Sequence, residues 1–411
     1  MSYKTSLQTE FRFAEVENGD LELRFDPENF LTTLRQRDTV DSIRLGIRHA
    51  FNPASDLIAF VIYRSGDSNT KTRLTDIATD QDGYMAEARY LFRSERFNIT
   101  GGIGYFNADQ KDRTTDIPEP PDVTETNIRQ TNFYVYALLN YPQNVTLTVG
   151  GSADFFTSAS IDRDQFNPKF GLTWNPFPAT TLRMALFRVL NRTLIASQTL
   201  EPTQVAGFNQ FFDDANGTES WRYGIAIDQK LSAAMFGGVE LSKRMLEVPF
   251  QPLDASTSKL SRANWEEKLI RSYLYWTPHP WLAASGEFQY EQLERSRKFV
   301  GPEEFTKINT YRLPFGINFF HPSGFIAGLK ATYIDQEGKF GIPAFGPITQ
   351  GDDRFWVVNA TLGYRLPKRW GLLTLEARNL FDARFKFQDT DPANPLILPN
   401  RLVFARFTLA F

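Results

Sequence analysis

The stretch Val145–Phe155, VTLTVGGSADF, sorts its side chains with a period of two. Val145, Leu147, Val149, Gly151, Ala153 and Phe155 fall on one face; Thr146, Thr148, Gly150, Ser152 and Asp154 fall on the other. Successive side chains of a strand point to opposite sides, so this spacing predicts a strand with one apolar face. After Pro280 the pattern returns: Leu282, Ala284, Gly286, Phe288 and Tyr290 oppose Ala283, Ser285, Glu287, Gln289 and Glu291. Phe325, Ala327, Leu329, Ala331 and Tyr333 share a face, as do Val358, Ala360, Leu362 and Tyr364, and then Leu373, Leu375, Ala377 and Phe381.

Many of these runs last about ten residues or more, where a globular strand has about five or six and a tilted membrane-crossing strand needs about ten. Tight turns sit near Asn52-Pro53, Ser94-Glu95, Pro142-Gln143, Asn175–Pro178, Ser232-Ala233, Thr277–Pro280, His321–Gly324 and Pro367-Lys368. Between them lie more polar and mostly longer connections: Gly66–Asp82, Asp109–Arg129, Thr157–Gln165, Asn191–Ser220, Val248–Asn264, Glu294–Lys307 and Gln336–Asp353. Short and long connections therefore alternate, as in a barrel with short periplasmic turns and long extracellular loops. The expected fold is all-β, an antiparallel transmembrane β-barrel. Eight tight turns, a lead-in strand before Asp41 and a final strand over Leu402–Phe411 predict about 18 strands, with 16 and 20 as the neighbouring even counts. LQTEFRF and LELRF flank ENGD near the start, either as one more hairpin or as one strand folded over at its top. Strands in lipid must satisfy every backbone group, so the sheet is expected to close. A soluble propeller needs short strands and a stronger repeat, and a soluble sandwich has no need of such long one-sided strands. Residues 1–411 are expected to form a single barrel domain, with any plug or periplasmic domain absent from this chain.

Composition narrows the function classes. The chain has no cysteine, which excludes disulfides and thiolate metal sites. Its net charge of -3 gives no reason to expect nucleic acid. No run approaches the about 20 apolar residues of a membrane helix, and MSYKTSLQTEF is not an apolar signal segment. The 37 Phe, 15 Tyr and 7 Trp collect near strand ends. Phe177, Trp276, Phe319, Phe320, Tyr364 and Trp370 lie beside short turns, and Phe155, Phe156, Tyr290 and Tyr333 towards the long loops, as two interfacial belts would require.

Catalytic and metal chemistry find little support. His49, His279 and His321 all lie in or close to short turns, a clustering that the turns themselves explain, so no metal site is expected. HExxH, GxSxG and P-loop spacings are absent, and no enzyme or cofactor is predicted. Asp213, Asp214 and Glu219 form a thin calcium candidate at most. More weight falls on charges predicted to face the lumen: Arg44, Arg48, Asp154, Arg183, Glu287, Glu291, Arg365, Glu376, Arg378 and Arg406. They either line a polar pathway that orients a charged or sugar solute, or pair across the wall as filler.

Three stretches carry a family resemblance. RLVFARFTLAF at the C-terminus places Val403, Ala405, Phe407, Leu409 and Phe411 on one face. LTLEARNLFDARF (Leu373–Phe385) sets Asn-Leu-Phe-Asp after a long strand, and FNPKFGLTWNPFPATTLRMALFRVL is followed by LEPTQVAGFNQ. Over Gln165–Phe411 the chain resembles the barrel domain of TonB-dependent receptors of the bacterial outer membrane. The resemblance implies that Phe407, Leu409 and Phe411 form the signal read by the barrel assembly machinery. It also implies about 22 strands and an N-terminal plug, whereas here the chain starts almost directly in strands. The plug is then missing from this chain, or the barrel is of the kind that exports polysaccharide behind a periplasmic tetratricopeptide domain. The expected function is an outer-membrane transport barrel with a polar pathway for solute uptake or polymer export. The alternative is a non-conducting structural or adhesion barrel that displays its outer loops. Expected partners are outer-membrane lipid and lipopolysaccharide, the assembly machinery, and a missing plug or tetratricopeptide domain.

Overall fold

A computed structural model of the chain describes residues 4–195, 198–212, 214–250, 260–296, 305–341, 348–390 and 397–409. Eighteen strands form one antiparallel sheet in which each pairs with its neighbours in sequence. The first nine are β1 (Thr5–Asn18), β2 (Arg35–Asn52), β3 (Ser55–Lys71), β4 (Thr75–Arg93), β5 (Phe97–Asp116), β6 (Asp122–Leu139), β7 (Val145–Thr157), β8 (Asp162–Phe177) and β9 (Thr180–Leu190). A small separate hairpin follows, β10 (Gln204–Val205) with β11 (Phe208–Asn209). The sheet resumes with β12 (Glu219–Ser232), β13 (Met235–Phe250), β14 (Ser261–His279), β15 (Leu282–Arg295), β16 (Phe305–Phe320), β17 (Phe325–Phe340), β18 (Thr349–Arg365), β19 (Gly371–Arg378) and β20 (Leu402–Leu409). β12 pairs with β9, so the intervening segment leaves the sheet without interrupting it.

Burial follows the alternation. In β7, Leu147, Val149 and Phe155 are exposed while Thr148, Ser152 and Asp154 are buried. In β18, Trp356, Leu362 and Tyr364 are exposed while Phe355 and Val357 are buried. The exposed set is the lipid-facing surface of a transmembrane barrel and the buried set lines its interior.

The structure departs from the sequence reading in four places. First, the ladder runs on through stretches that read as loops. β3 and β4 stay paired as far as Lys71↔Asp76, leaving only Thr72–Leu74 as the turn. β5 and β6 stay paired as far as Thr114↔Asp122. Polar cross-strand pairs hold these ribbons: Thr79 Oγ1 donates to Asp112 at 2.6 Å, Gln81 to Gln110 at 3.0 Å, and Lys111 bridges to Glu125 at 2.6 Å. Above the apolar band both faces meet water, so the hydrophobic period vanishes while backbone pairing continues. Second, LELRF forms no strand. Phe25 instead stacks on Phe340, with ring centroids 3.8 Å apart. Third, β19 ends at Arg378, and Asn379 takes a positive φ of 46°, which puts Phe381 beyond the strand rather than on its apolar line. Fourth, β1 pairs only with β2 and β20 only with β19, so among the described residues no ladder joins the first strand to the last.

Two outcomes test this architecture. Val149→Arg, mid-strand on the lipid-facing side, is expected to destabilise the folded state by about 2–4 kcal/mol, read from urea unfolding in lipid vesicles. Thr148→Ser on the opposite face should cost far less. Hydrogen exchange over residues 64–83 and 108–127 is expected to be as slow as in the lower strands; loop-like exchange there would remove the ribbons.

Candidate luminal site

The longest departure from the sheet, between Leu190 and Glu219, folds against the buried face of the wall. Its hairpin turns on Ala206 and Gly207, with φ of 47° and 84°. Two positive φ values in a two-residue connection are the requirement of a type I′ turn, which glycine meets without steric cost. Val205 and Phe208 flank the turn and are buried. The wall makes room for them with missing side chains. A Cβ on Gly224 would collide with the Phe208 ring, and one on Gly171 would sit 2.9 Å from Val205 Cγ1. Wall cations then fasten the segment. Arg222 donates to the Asn209 carbonyl at 2.9 Å, and Arg89 to the Leu200 carbonyl at 2.9 Å. The Arg222 and Arg244 guanidinium groups lie 4.9 and 4.5 Å from the Phe211 ring centre, and Arg183 lies 5.3 Å from that of Phe208.

Beneath the hairpin is a buried polar network. Arg192, from the segment, bridges Asp154 of β7 at 3.3 Å and Glu201 at 2.8 Å, and all three side chains are at most 3% exposed. Asp154 also accepts from Ser152 and Asn167, at 2.9 and 2.6 Å. Glu201 accepts from the Tyr136 hydroxyl at 2.7 Å and from Asn132 at 3.2 Å. Glu87 of β4 accepts from Thr199 Oγ1 at 2.9 Å and from the Leu200 backbone N–H. Lys169 of β8 donates to Gln210 at 2.5 Å and to the Arg188 carbonyl at 2.6 Å. Burial by itself would lower the Arg192 pKa, but Glu201, Asp154 and Glu87 outweigh it and hold the guanidinium above its usual value. Charges this deeply buried persist only when paired and hydrogen-bonded. The network therefore locks the segment to one place on the wall.

A second infold covers β16–β18. Phe385, Phe387 and Ile397, from the connection between β19 and β20, pack with Ile334, Phe355 and Val357. Gln336 Nε2 donates to the Gln388 carbonyl at 3.0 Å, and Gln336 Oε1 accepts the Gln388 N–H at 2.7 Å. Below this cap a cavity of about 540 Å³ opens on the inner wall of β15–β19, lined among others by Glu287, Gln289, Arg312, Lys330, Glu376 and Arg378.

The charges singled out in sequence are distributed between these places. Asp154 joins the buried network, while Glu287, Glu376 and Arg378 line the cavity. Arg183 pairs with Asp228 at 2.6 Å, Arg44 with Glu10 at 3.4 Å, and Arg48 with Asp56 at 2.9 Å. Arg378 and Arg406 lie 5.3 and 5.8 Å from the ring centre of Phe404. Glu291 sits in register with Leu269 and Thr310, and Arg365 is exposed at the short-turn end of β18. Phe407 and Leu409 are exposed on the outer face of β20; Phe411 lies outside the described residues.

Other expectations need correction or completion. Asp214 pairs with Arg244, and Glu219 with Arg163 and Arg188, so these carboxylates serve arginines rather than a cation set; Asp213 lies outside the described residues. Phe156 is buried against Ile62, Met85 and Phe106, not placed in an outer belt. Arg192, Glu201, Glu87, Lys169 and Tyr136 were not legible as a site. Their signal lay in places where both faces of a strand turn apolar, such as Tyr105-Phe106, Phe155-Phe156 and Leu186-Phe187. There the inward residue is covered by protein instead of water. Arg192→Ala would leave Asp154 and Glu201 buried without their cation, at a cost of about 3–5 kcal/mol. The expected outcome is faster hydrogen exchange and protease cleavage within residues 191–218 while the strands stay protected.

Comparison with known proteins agrees with this architecture. The FrpB iron transporter from Neisseria meningitidis superposes with a TM-score of 0.73 at 11% identity, over 99% of this chain and 69% of that one. P. aeruginosa FpvA bound to heterologous pyoverdines gives a TM-score of 0.71 at 10% identity, over 100% and 63%. The alcaligin outer-membrane receptor FauA from Bordetella pertussis gives 0.63 at 12%, over 100% and 65%. At such identities the likeness establishes the fold, and the chain spans about two thirds of the length of these relatives. No curated protein matches the chain in sequence. The family model for the TonB dependent receptor-like β-barrel matches residues 8–220, mostly strands in which only periodicity had been legible. That match covers more than half of the 411 residues, and this bacterial outer-membrane chain belongs to the TonB dependent receptor-like β-barrel family.

Proposed function

We propose that the chain is an outer-membrane transport barrel that offers a polar pathway for solute uptake or polymer export. The observation that carries this reading is the asymmetry of the interior. The described residues between Leu190 and Glu219 fill the side lined by β4–β9 and β12, while the wall of β15–β19 keeps an open polar recess of about 540 Å³. Charges of both signs along a water-accessible wall suit the passage of polar solutes. Relatives described as an iron transporter and an alcaligin receptor support transport or reception rather than catalysis, and we read this chain as no enzyme. In the same reading residues 1–411 form one barrel unit set in lipid and lipopolysaccharide. The terminal strand, with Phe407 and Leu409 facing out, addresses the assembly machinery, and a plug or tetratricopeptide domain would regulate the periplasmic mouth.

A second reading, a sealed structural or adhesion barrel, draws on the locked infold itself. Single-channel recording in planar bilayers separates the two. The expected result is an open-pore current that grows when residues 199–210 are replaced by a short Gly/Ser linker. Absence of current from both forms would overturn transport and leave the sealed barrel.

A further inference from the structure

The recess on β15–β19 has a composition that the transport reading does not require. Its floor is cut by glycines on adjacent strands: a Cβ on Gly316 would lie 2.7 Å from Ser285 Oγ, and one on Gly328 would lie 3.0 Å from Asn318 Oδ1. Its carboxylates are already engaged. Glu287 accepts from Arg271 at 3.0 and 3.1 Å and from the Tyr275 hydroxyl at 2.5 Å, and Glu376 pairs with Arg378 at 3.7 Å. Two of its cations are not. Among the described residues Arg312 reaches only Gln289 Oε1, at 3.3 Å, and its buried Nε has no acceptor. Lys330, on the next strand, is exposed into the recess and forms no ion pair among the described residues. A buried donor without an acceptor is costly, and two unneutralised cations at one wall favour an anion between them. Around them, Asn318, Asn359, Thr332 and Thr361 supply amides and hydroxyls that can both donate and accept.

We propose that this recess binds an anionic group, carboxylate or phosphate, carried on a hydroxyl-rich body of about monosaccharide size. The proposal rests on the transport reading, for which it names the substrate class. Arg312 and Lys330 take the charge, and the amides and threonines take the hydroxyls. The volume of about 540 Å³ lies within the range of about 300–1,000 Å³ typical of small-molecule sites.

Isothermal titration of the detergent-folded full chain with glucuronate, glucose 6-phosphate, glucose and glucosamine tests it. The expected result is binding of glucuronate, glucose 6-phosphate or both, with the neutral and cationic sugars silent. Binding of only one anion assigns the charged group. Added salt should weaken it, because the attraction is screened. Arg312→Gln and the exposed-site variant Lys330→Gln should each weaken binding by about tenfold or more. Glucose or glucosamine binding as tightly as glucuronate would overturn the proposal, as would unchanged anion affinity in a folded Lys330→Gln protein. Anion binding without any channel current would leave the site standing and remove the transport reading; current without anion binding would do the reverse.

Discussion

The structure depends on one constraint: a strand in lipid must give every backbone N–H and C=O a partner while its side chains alternate between two solvents. Inter-strand ladders meet the first requirement between successive strands from β1 to β20, the outer edges of β1 and β20 apart, and period-two sequences meet the second. Where lipid ends, the second requirement lapses but the first persists. This explains why β3–β4 and β5–β6 continue as paired ribbons through stretches rich in Thr, Asp, Gln and Asn.

The interior obeys a third rule. Backbone that leaves the sheet and enters the lumen must be compensated by the wall it covers, and the wall is prepared for it. Gly171 and Gly224 provide space, Arg89, Arg222 and Lys169 provide donors, and Asp154 and Glu87 provide acceptors. The segment in return brings Arg192 and Glu201, and Arg192 pairs with Asp154 of the wall. The result divides the lumen into a filled side and a polar side. That division, more than the barrel, gives a functional reading something to act on.

Legibility followed the physics of each region. The strand count, the eight tight turns and the lipid-facing residues could be read because lipid imposes a simple alternation. The outward placement of Phe407 and Leu409 was legible for the same reason. Phe156 was misread because an inward phenylalanine under a folded loop has the same letter as one in an interfacial belt. LELRF was misread because its apolar residues answer to Phe340 and the cap on β16–β18, far away in sequence, rather than to a strand partner. For the charges assigned to the lumen, parity does not say which partner a charge meets.

By itself, the sequence determined a long-stranded antiparallel sheet with one face to lipid and short turns at one rim. These are local properties, set by alternation and turn chemistry within about ten residues of each position. The tertiary structure alone decided that the described residues between Leu190 and Glu219 fold inward, that Arg192 lies between Asp154 and Glu201, and that Arg312 and Lys330 have no carboxylate partner among the described residues. These outcomes depend on residues dozens of positions apart meeting across the lumen, and no periodicity records which side chains will meet there.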